Sequence, residues 1–164
     1  MNNKQDYITP VTANNLSELF YERVKRSGTS IAYRYSDNAD EYWKDLSWND
    51  ISKQVELWHN AFRHEGLVKG DRVEIMMGNC PDWVIFDQAA YSLGLVVVPV
   101  YTNDRTENIR YILENANVKV FFIEDLTQCK KLIDDESVFD SNGLKDLLRI
   151  VTHQSIDGYN NPRL

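Results

Sequence analysis

The feature that most constrains the fold is an alternation of short apolar segments with helical patterns in the second half of the chain. Residues 95–101 and 118–123 are apolar at nearly every position, and residues 72–77 are apolar at most positions, which is typical of strands buried on both faces. Residues 81–94 and 106–116 lie between them and carry helical periodicity. Strands that alternate with helices of about a dozen residues indicate βαβ units with right-handed crossovers. We therefore predict an α/β fold with a largely parallel, doubly wound sheet.

The same alternation continues toward the end of the chain. Its pattern predicts a helix over residues 126–134, a short helical piece over 144–147 and a further strand over 148–152. We expect this strand to join the sheet, and we expect residues 96–98 and 121–123 to lie in its central strands. The last residues, 153–164, have no periodicity and are predicted to be a frayed end.

The first half of the chain predicts helices around a hairpin. Residues 14–28 form a helical pattern that Asn14 or Asn15 can cap and that Gly28 can end; its apolar face consists of Leu16, Leu19, Phe20 and Val24. Residues 30–36 and 41–48 are two β-like runs and predict an N-terminal β-hairpin at the margin of the sheet.

A second long helix is predicted after the hairpin. Ser47 and Asp50 form a capping pair at its start, and Gly66 follows its end. An apolar stripe at helical spacing is normally core, and this one consists of Ile51, Val55, Trp58, Ala61 and Phe62.

Composition narrows the class of protein. The 164 residues have a 43% hydrophobic share, enough for one domain with a real core, and a net charge of −7. An acidic chain disfavours nucleic-acid binding and permits at most a peripheral contact with a membrane. Cys80 and Cys129 form no CxxC motif, and the three histidines lack metal-ligand spacing, so no metal site is predicted. With neither a signal peptide nor an apolar run near the roughly 20 residues of a membrane span, we expect a cytoplasmic protein.

The loops where an open parallel sheet binds ligands carry no known catalytic motif. Those loops follow the carboxyl ends of the strands, here residues 78–80, 101–105 and 124–125 and the residues after His153. None of them is glycine-rich, and the sequence has no GxGxxG, GxxxxGK[ST] or GxSxG motif. A phosphoacceptor receiver domain is disfavoured because Gly78–Cys80 replaces the acidic cluster that it needs.

A family resemblance accounts for this scaffold. The stretch "KGDRV" at 69–73, an Asn and Pro-acidic-Trp at 79–83, "VPVY" at 98–101 and "KVFFIED" at 119–125 occur in a specific order. In that order and spacing they resemble the N-terminal part of the adenylate-forming, AMP-binding acyl-CoA synthetases. The aromatic-rich pieces are most similar to the long-chain fatty acid–CoA ligase branch.

The resemblance implies that this stretch is scaffold in the N-terminal part of a longer enzyme and contains none of its catalytic residues. Family members form an acyl-adenylate from a carboxylate and ATP with Mg²⁺, and then an acyl-CoA thioester with CoA. Their phosphate loop, ribose-binding Asp and catalytic Lys come later than Leu164, so the resemblance implies no catalytic residue and no metal ligand here. It divides the chain into an N-terminal tail (1–13), an N-terminal subdomain (14–152) and the frayed end (153–164).

One binding element is implied on the CoA side. Tyr101, Thr102 and Asn103 correspond to a loop that lies near the nucleotide end of CoA in some relatives. The alternative is a simple connection in which Asp104 is the N-cap of the next helix and Glu107 its N3 residue.

The implied partners are fatty acid, ATP, CoA and the remainder of the same polypeptide. Two other classes stay open: a binding or regulatory module that keeps the scaffold, and a dimerisation module. The sequence leaves open which acid is activated, the oligomeric state and any ligand of the segment itself. We expect apolar surface on the isolated segment and therefore self-association.

Overall fold

The computed structural model describes residues 6–36, 42–134 and 146–152. Within these ranges the chain forms helices α1–α5 and strands β1–β6. Their order is α1 (Leu16–Ser27), β1 (Ile31–Ser36), β2 (Trp43–Ser47), α2 (Trp48–His64), β3 (Arg72–Met76), α3 (Pro81–Ser92), β4 (Val96–Pro99), α4 (Thr106–Ala116), β5 (Val118–Ile123), α5 (Leu126–Asp134) and β6 (Arg149–Val151).

The four C-terminal strands form one parallel sheet with the order β4-β3-β5-β6. This confirms the predicted α/β fold, because strands with continuous apolar sequence pair in parallel and bury both faces. β3 and β5 are the central strands. The expectation that residues 96–98 belong to a central strand was wrong: β4 is an edge strand, and the side chain of Val96 is 48% exposed.

Helices cover the sheet on two faces. The α2 face carries α2 and α3 over Val73, Ile75, Val120 and Phe122 of the central strands. The α4 face carries α4 and α5 over Met76, Phe121 and Ile123, together with Val118. On the α2 face the rings of Trp58, Phe62, Phe86 and Phe122 pack together at centroid distances of 4.9–5.5 Å. The burial of these aromatic rings holds α2 and α3 on the sheet.

The predicted hairpin is present and forms its own two-stranded antiparallel sheet. Ala32, Tyr33 and Leu46 of the hairpin pack against the core of the α2 face. Its predicted turn falls on residues 37–41, which lie outside the described residues. The predicted frayed end, 153–164, and residues 144 and 145 of the predicted helical piece also lie outside them, and residues 146–147 are not helical.

Two of the predicted helix N-caps are confirmed and one is wrong. Asn15 accepts a hydrogen bond from the backbone N–H of Glu18 at the start of α1, and Ser47 and Asp50 form a reciprocal capping box at the start of α2. Asp104 is not the N-cap of α4. Arg105 takes that position without a side-chain hydrogen bond to the helix, and the Asp104 carboxylate accepts from the backbone N–H of Arg105 and the amide of Asn108 instead.

Two predicted apolar stripes are only partly buried. On α1 only Phe20 is buried, while Leu16 and Leu19 are exposed. On α2, Ile51, Val55 and Phe62 are buried as predicted, but Ala61 is exposed. The helical period identifies a face correctly, but the neighbouring elements decide how much of that face is covered.

Candidate functional site

The carboxyl ends of β3, β4 and β5 meet at one edge of the sheet and bring three predicted loops together. The backbone N–H of Gly78, after β3, donates a hydrogen bond to the Glu124 carboxylate, after β5, at 3.0 Å. The backbone N–H of Glu124 donates to the carbonyl of Met76 at 3.1 Å, and that of Val100 donates to the carbonyl of Ile75 at 3.0 Å. These bonds fix the loops relative to the sheet, which is where parallel α/β folds bind ligands.

A cleft of about 320 Å³ opens at this edge between the loop after β3 and the loop after β4. Trp83 of α3 and Tyr101 after β4 supply aromatic walls, while Asn79 and Thr102 supply polar groups. The remaining lining residues are Met77, Pro99 and Val100. An aromatic-walled cleft with a few polar groups suits a flat ligand with hydrogen-bonding edges.

The structure places two of the three predicted CoA-side residues in this cleft. Tyr101 and Thr102 line it, and the Tyr101 side chain is 82% exposed. Asn103 is exposed and is not among the lining residues. Asn79 and Trp83 were not predicted as site residues. The sequence did contain a signal for them, because both lie close to Pro81, where the loop after β3 leads into α3. In a parallel pair the loop after β3 lies beside the loop after β4, so these residues could have been expected near Tyr101.

The charge around this edge disfavours phosphate binding by these residues alone. Asp82, Asp104, Glu124 and Asp125 carry carboxylates in or beside the three loops, and Arg105 carries the one positive charge there. The carboxylates outnumber this cation, and like charges repel a phosphate group. Asp125 accepts a hydrogen bond from the backbone N–H of Thr127 at 2.7 Å at the start of α5. Binding of a nucleoside triphosphate at this edge would therefore need positive charge in addition to that of Arg105.

Neither cysteine has the character of an activated nucleophile. Cys80 is the N-cap residue of α3, and burial raises the pKa of its thiol. Burial raises the pKa of the Cys129 thiol to about 11. Because the thiolate is the reactive form, both groups are in the unreactive thiol form near neutral pH. Among the described residues, no group of three or more His, Cys, Asp or Glu side chains is arranged to hold a metal ion.

Comparison with known proteins decides the family. The family model described as "AMP-binding enzyme" matches residues 20–160. The chain belongs to the AMP-binding enzyme family. The family resemblance predicted from "KGDRV", "VPVY" and "KVFFIED" is thereby confirmed, and the cleft lies within the matched region.

Curated relatives align with most of this chain at low sequence identity. The long-chain-fatty-acid–CoA ligase FadD15 of Mycobacterium bovis is 26% identical over 110 residues, which are 67% of this chain and 18% of the relative. The long-chain-fatty-acid–CoA ligase 5 of Rattus norvegicus is 26% identical over 140 residues, which are 83% of this chain and 20% of the relative. The chain therefore spans about a fifth of the length of these relatives.

Solved structures share the fold. A Mycobacterium tuberculosis fatty acyl CoA synthetase superimposes with a TM-score of 0.71 and 19% sequence identity, over 84% of this chain and 26% of the other. At that identity the similarity establishes the parallel sheet and its helices as a shared fold. Within the described residues, none of the helices has both the length and the apolar character to cross a membrane.

Proposed function

We propose that this chain is the N-terminal portion of an ATP-dependent long-chain fatty acid–CoA ligase. In the intact enzyme a fatty carboxylate attacks the α-phosphorus of ATP and displaces pyrophosphate. The CoA thiol then attacks the acyl carbonyl of the acyl-adenylate and displaces AMP. The observation that carries the proposal is the AMP-binding family match over residues 20–160, together with relatives that are named long-chain ligases.

In this proposal the 164 residues are scaffold and not catalytic machinery. Their loops are not glycine-rich, and the carboxylates at the edge of the sheet outnumber its one cation, Arg105, which disfavours stabilisation of the charge that develops on the phosphates. Mg²⁺ and cationic groups from other parts of the enzyme supply that stabilisation when ATP is bound. We assign the subdomain to residues 14–152, flanked by a tail at 1–13 and an end segment at 153–164, in a cytoplasmic enzyme.

The proposal is tested by comparing this chain with the protein made from the complete reading frame. We expect the purified 164-residue chain to give no fatty-acid-dependent exchange of pyrophosphate into ATP. We expect the protein from the complete reading frame to give exchange and to form acyl-CoA from long-chain acids. Exchange by the 164-residue chain, or a complete protein that activates no carboxylic acid, would refute the proposal.

The proposed CoA-side residues are tested in the active protein. The exposed Tyr101 ring lines the cleft, so Tyr101→Ala should raise the KM for CoA several-fold while exchange of pyrophosphate, which precedes CoA binding, stays unchanged. Tyr111 of α4 is also exposed but does not line the cleft, and Tyr111→Ala is the matched control. Equal CoA kinetics for both variants would show that residues 101–103 are a simple connection.

A second candidate is a non-catalytic module that binds a ligand or forms a dimer. The aromatic-walled cleft at Trp83 and Tyr101 and the exposed apolar side chains favour it, because each offers a recognition surface independent of catalysis. Tight binding of CoA or a nucleotide by the 164-residue chain, with no activity in the complete protein, would select this candidate.

A further inference from the structure

The carboxyl group of Glu74 is buried on the α4 face, beneath helix α4. Side chains alternate along a strand, and those of Val73 and Ile75 belong to the α2 face, so Glu74 projects to the opposite face. Helix α4 connects β4 to β5, the neighbours of β3 on either side, and therefore crosses over β3. Glu74 has no exposed surface, and neither of its oxygens has a hydrogen-bond partner among the described residues. The fold thus encloses an ionisable group that the proposed function leaves without a role.

The charged groups around this position do not pair with Glu74. Arg72, on the same face of β3, donates hydrogen bonds to the backbone carbonyl groups of residues 116 and 117, at the C-terminal end of α4. On β5, Lys119 forms an ion pair of 3.4 Å with Asp146. Strand β4 contributes no ionisable side chain. The described ionisable side chains of α4 and α5 are those of Glu107, Arg110, Tyr111, Glu114, Cys129, Lys130 and Lys131. None of these groups forms a hydrogen bond with Glu74.

An ionised Glu74 does not fit the closed structure. A carboxylate that is buried without a partner is far less stable than one in water, because it loses its hydration and gains nothing in return. Burial accordingly raises the pKa of Glu74 to about 9. The sheet itself and helices α2 and α3 separate the group from solvent on the other side. Water therefore reaches the carboxylate when an element on the α4 face moves.

Helix α4 is held on the sheet by few contacts. Two of its side chains, Ile109 and Leu113, are buried, whereas α3 has five buried residues. Its N-cap residue, Arg105, makes no side-chain hydrogen bond to the helix. Its outer side faces solvent, where Tyr111 is 65% exposed. Elements with few buried contacts open locally at a lower free energy than the rest of a fold.

We propose that α4 is a pH-dependent cover, which moves away from β3 together with the preceding loop 101–105 when Glu74 loses its proton, while the α2 face stays folded. The loop moves with the helix because its last residue, Arg105, is the N-cap of α4. Tyr101 and Thr102 of this loop line the cleft at the carboxyl edge of the sheet. The opening therefore displaces one wall of the cleft as pH rises.

The test measures hydrogen exchange of single backbone amides by NMR at pH 6, 7 and 8 in the 164-residue chain. The parent is compared with Glu74→Gln, which cannot ionise, at the same pH, so the pH dependence of the exchange chemistry cancels. The rate ratio of parent to variant at amides 110–116 of α4 should rise about ten-fold per pH unit, because each unit adds that factor to the ionised, open form. Glu56→Gln, at an exposed position of α2, is the matched control and should give a constant ratio.

Two further sets of amides locate the opening. The N–H of Asp104 donates to the carbonyl of Tyr101 at 3.1 Å, and its exchange should accelerate together with that of α4. Amides 85–90 of α3 should stay more protected than those of α4 in the parent at pH 8. Equal protection of α3 and α4 would mean that α4 opens only when the whole chain unfolds, and would overturn the proposal. An Asp104 amide that exchanges equally in parent and Glu74→Gln would overturn the link to the cleft.

A second variant gives the same test with an apolar side chain. Glu74→Met has a similar length and no titrating group, and it remains informative if a buried amide at position 74 prevents folding. Its α4 amides should show the same growing difference from the parent between pH 6 and pH 8. If α4 exchanges as fast in the non-ionisable variants as in the parent at pH 8, Glu74 does not control the cover and the inference is wrong.

Discussion

Glu74 is an acidic residue in an apolar environment. It lies in central strand β3, beside Val98 of β4 and Phe121 of β5, and is fully buried. Neither carboxylate oxygen has a hydrogen-bond partner. Burial raises the pKa of Glu74 to about 9, so the side chain is a neutral acid at pH 7.

The raised pKa predicts how stability depends on pH. The folded state holds the proton up to about pH 9, whereas an unfolded chain releases it near 4.5. The contribution of Glu74 to the free energy of unfolding is therefore fully present below pH 4.5 and is lost as pH rises toward 9. At about 1.4 kcal/mol per pKa unit, the loss of folding free energy by pH 7 is roughly 3 kcal/mol.

Glu74→Gln isolates this effect because an amide keeps the shape of the neutral acid and does not titrate. We expect the variant and the parent to unfold at similar denaturant concentrations at pH 5, and the variant to be the more stable at pH 8. The exposed Glu107→Gln is the control for the loss of one negative charge. A stability difference between Glu74→Gln and the parent that does not change with pH would show that the carboxylate is charged or solvated in the folded chain.

At the scale of elements, the start of α2 depends on its capping box. The backbone N–H of Asp50 donates to the Ser47 hydroxyl at 3.2 Å, and the backbone N–H of Ser47 donates to the Asp50 carboxylate at 3.1 Å. These bonds satisfy backbone donors that have no partner within the helix. α2 carries Trp58 and Phe62 of the aromatic cluster, so its position affects the whole α2 face.

Ser47→Ala should lower the free energy of unfolding by about 1 kcal/mol, because the N-cap acceptor is lost. Chemical denaturation of the 164-residue chain measures the change. Ser52→Ala, inside the same helix, is the matched control and should be neutral or slightly stabilising, since Ala has the higher helix propensity. Equal losses from both substitutions would mean that the cap does not determine the stability of α2.

At the scale of the whole molecule, both edges of the described sheet expose surface that can associate, and so does an apolar groove of about 360 Å³ between α2 and β6. β4 and β6 end the four-stranded sheet of the described residues, and an unpaired strand edge is a template for another chain. Leu57 lines this groove and is 70% exposed. We expect light scattering across a dilution series to show association of the isolated chain at high concentration.

Leu57→Glu should shift this association to higher protein concentration, because it places a charge beside the apolar groove. Val11→Glu introduces the same charge at a residue that is 91% exposed elsewhere and should have little effect. If the parent chain scatters as a monomer at every concentration and binds no apolar dye, it is a self-contained domain. The alternative of a dedicated binding module would then be favoured.

The sequence by itself determined the local structure and the layer architecture. Continuous apolar runs such as residues 118–123 require burial on both faces, and Ser47 with Asp50 defines a helix start through chemistry that acts within a few residues. The family also follows from motifs in the sequence, because their order and spacing are local properties. Tyr101 and Thr102 could be assigned to the carboxyl edge of the sheet. The strands of a parallel sheet all end at that edge, so the loop that follows each strand begins there.

Only the tertiary structure decided which elements are neighbours. An apolar run such as Val96–Pro99 has the pattern of a central strand whether or not a neighbour lies on its outer side, so the edge position of β4 depended on the strand order. Ala61 lies on the apolar stripe of α2, yet it is exposed because no described element covers the α2 face beside β6. Trp83 joins Tyr101 in the cleft through the pairing of β3 with β4. Contacts between distant segments depend on how elements pack against one another, and periodicity within a single element does not contain that information.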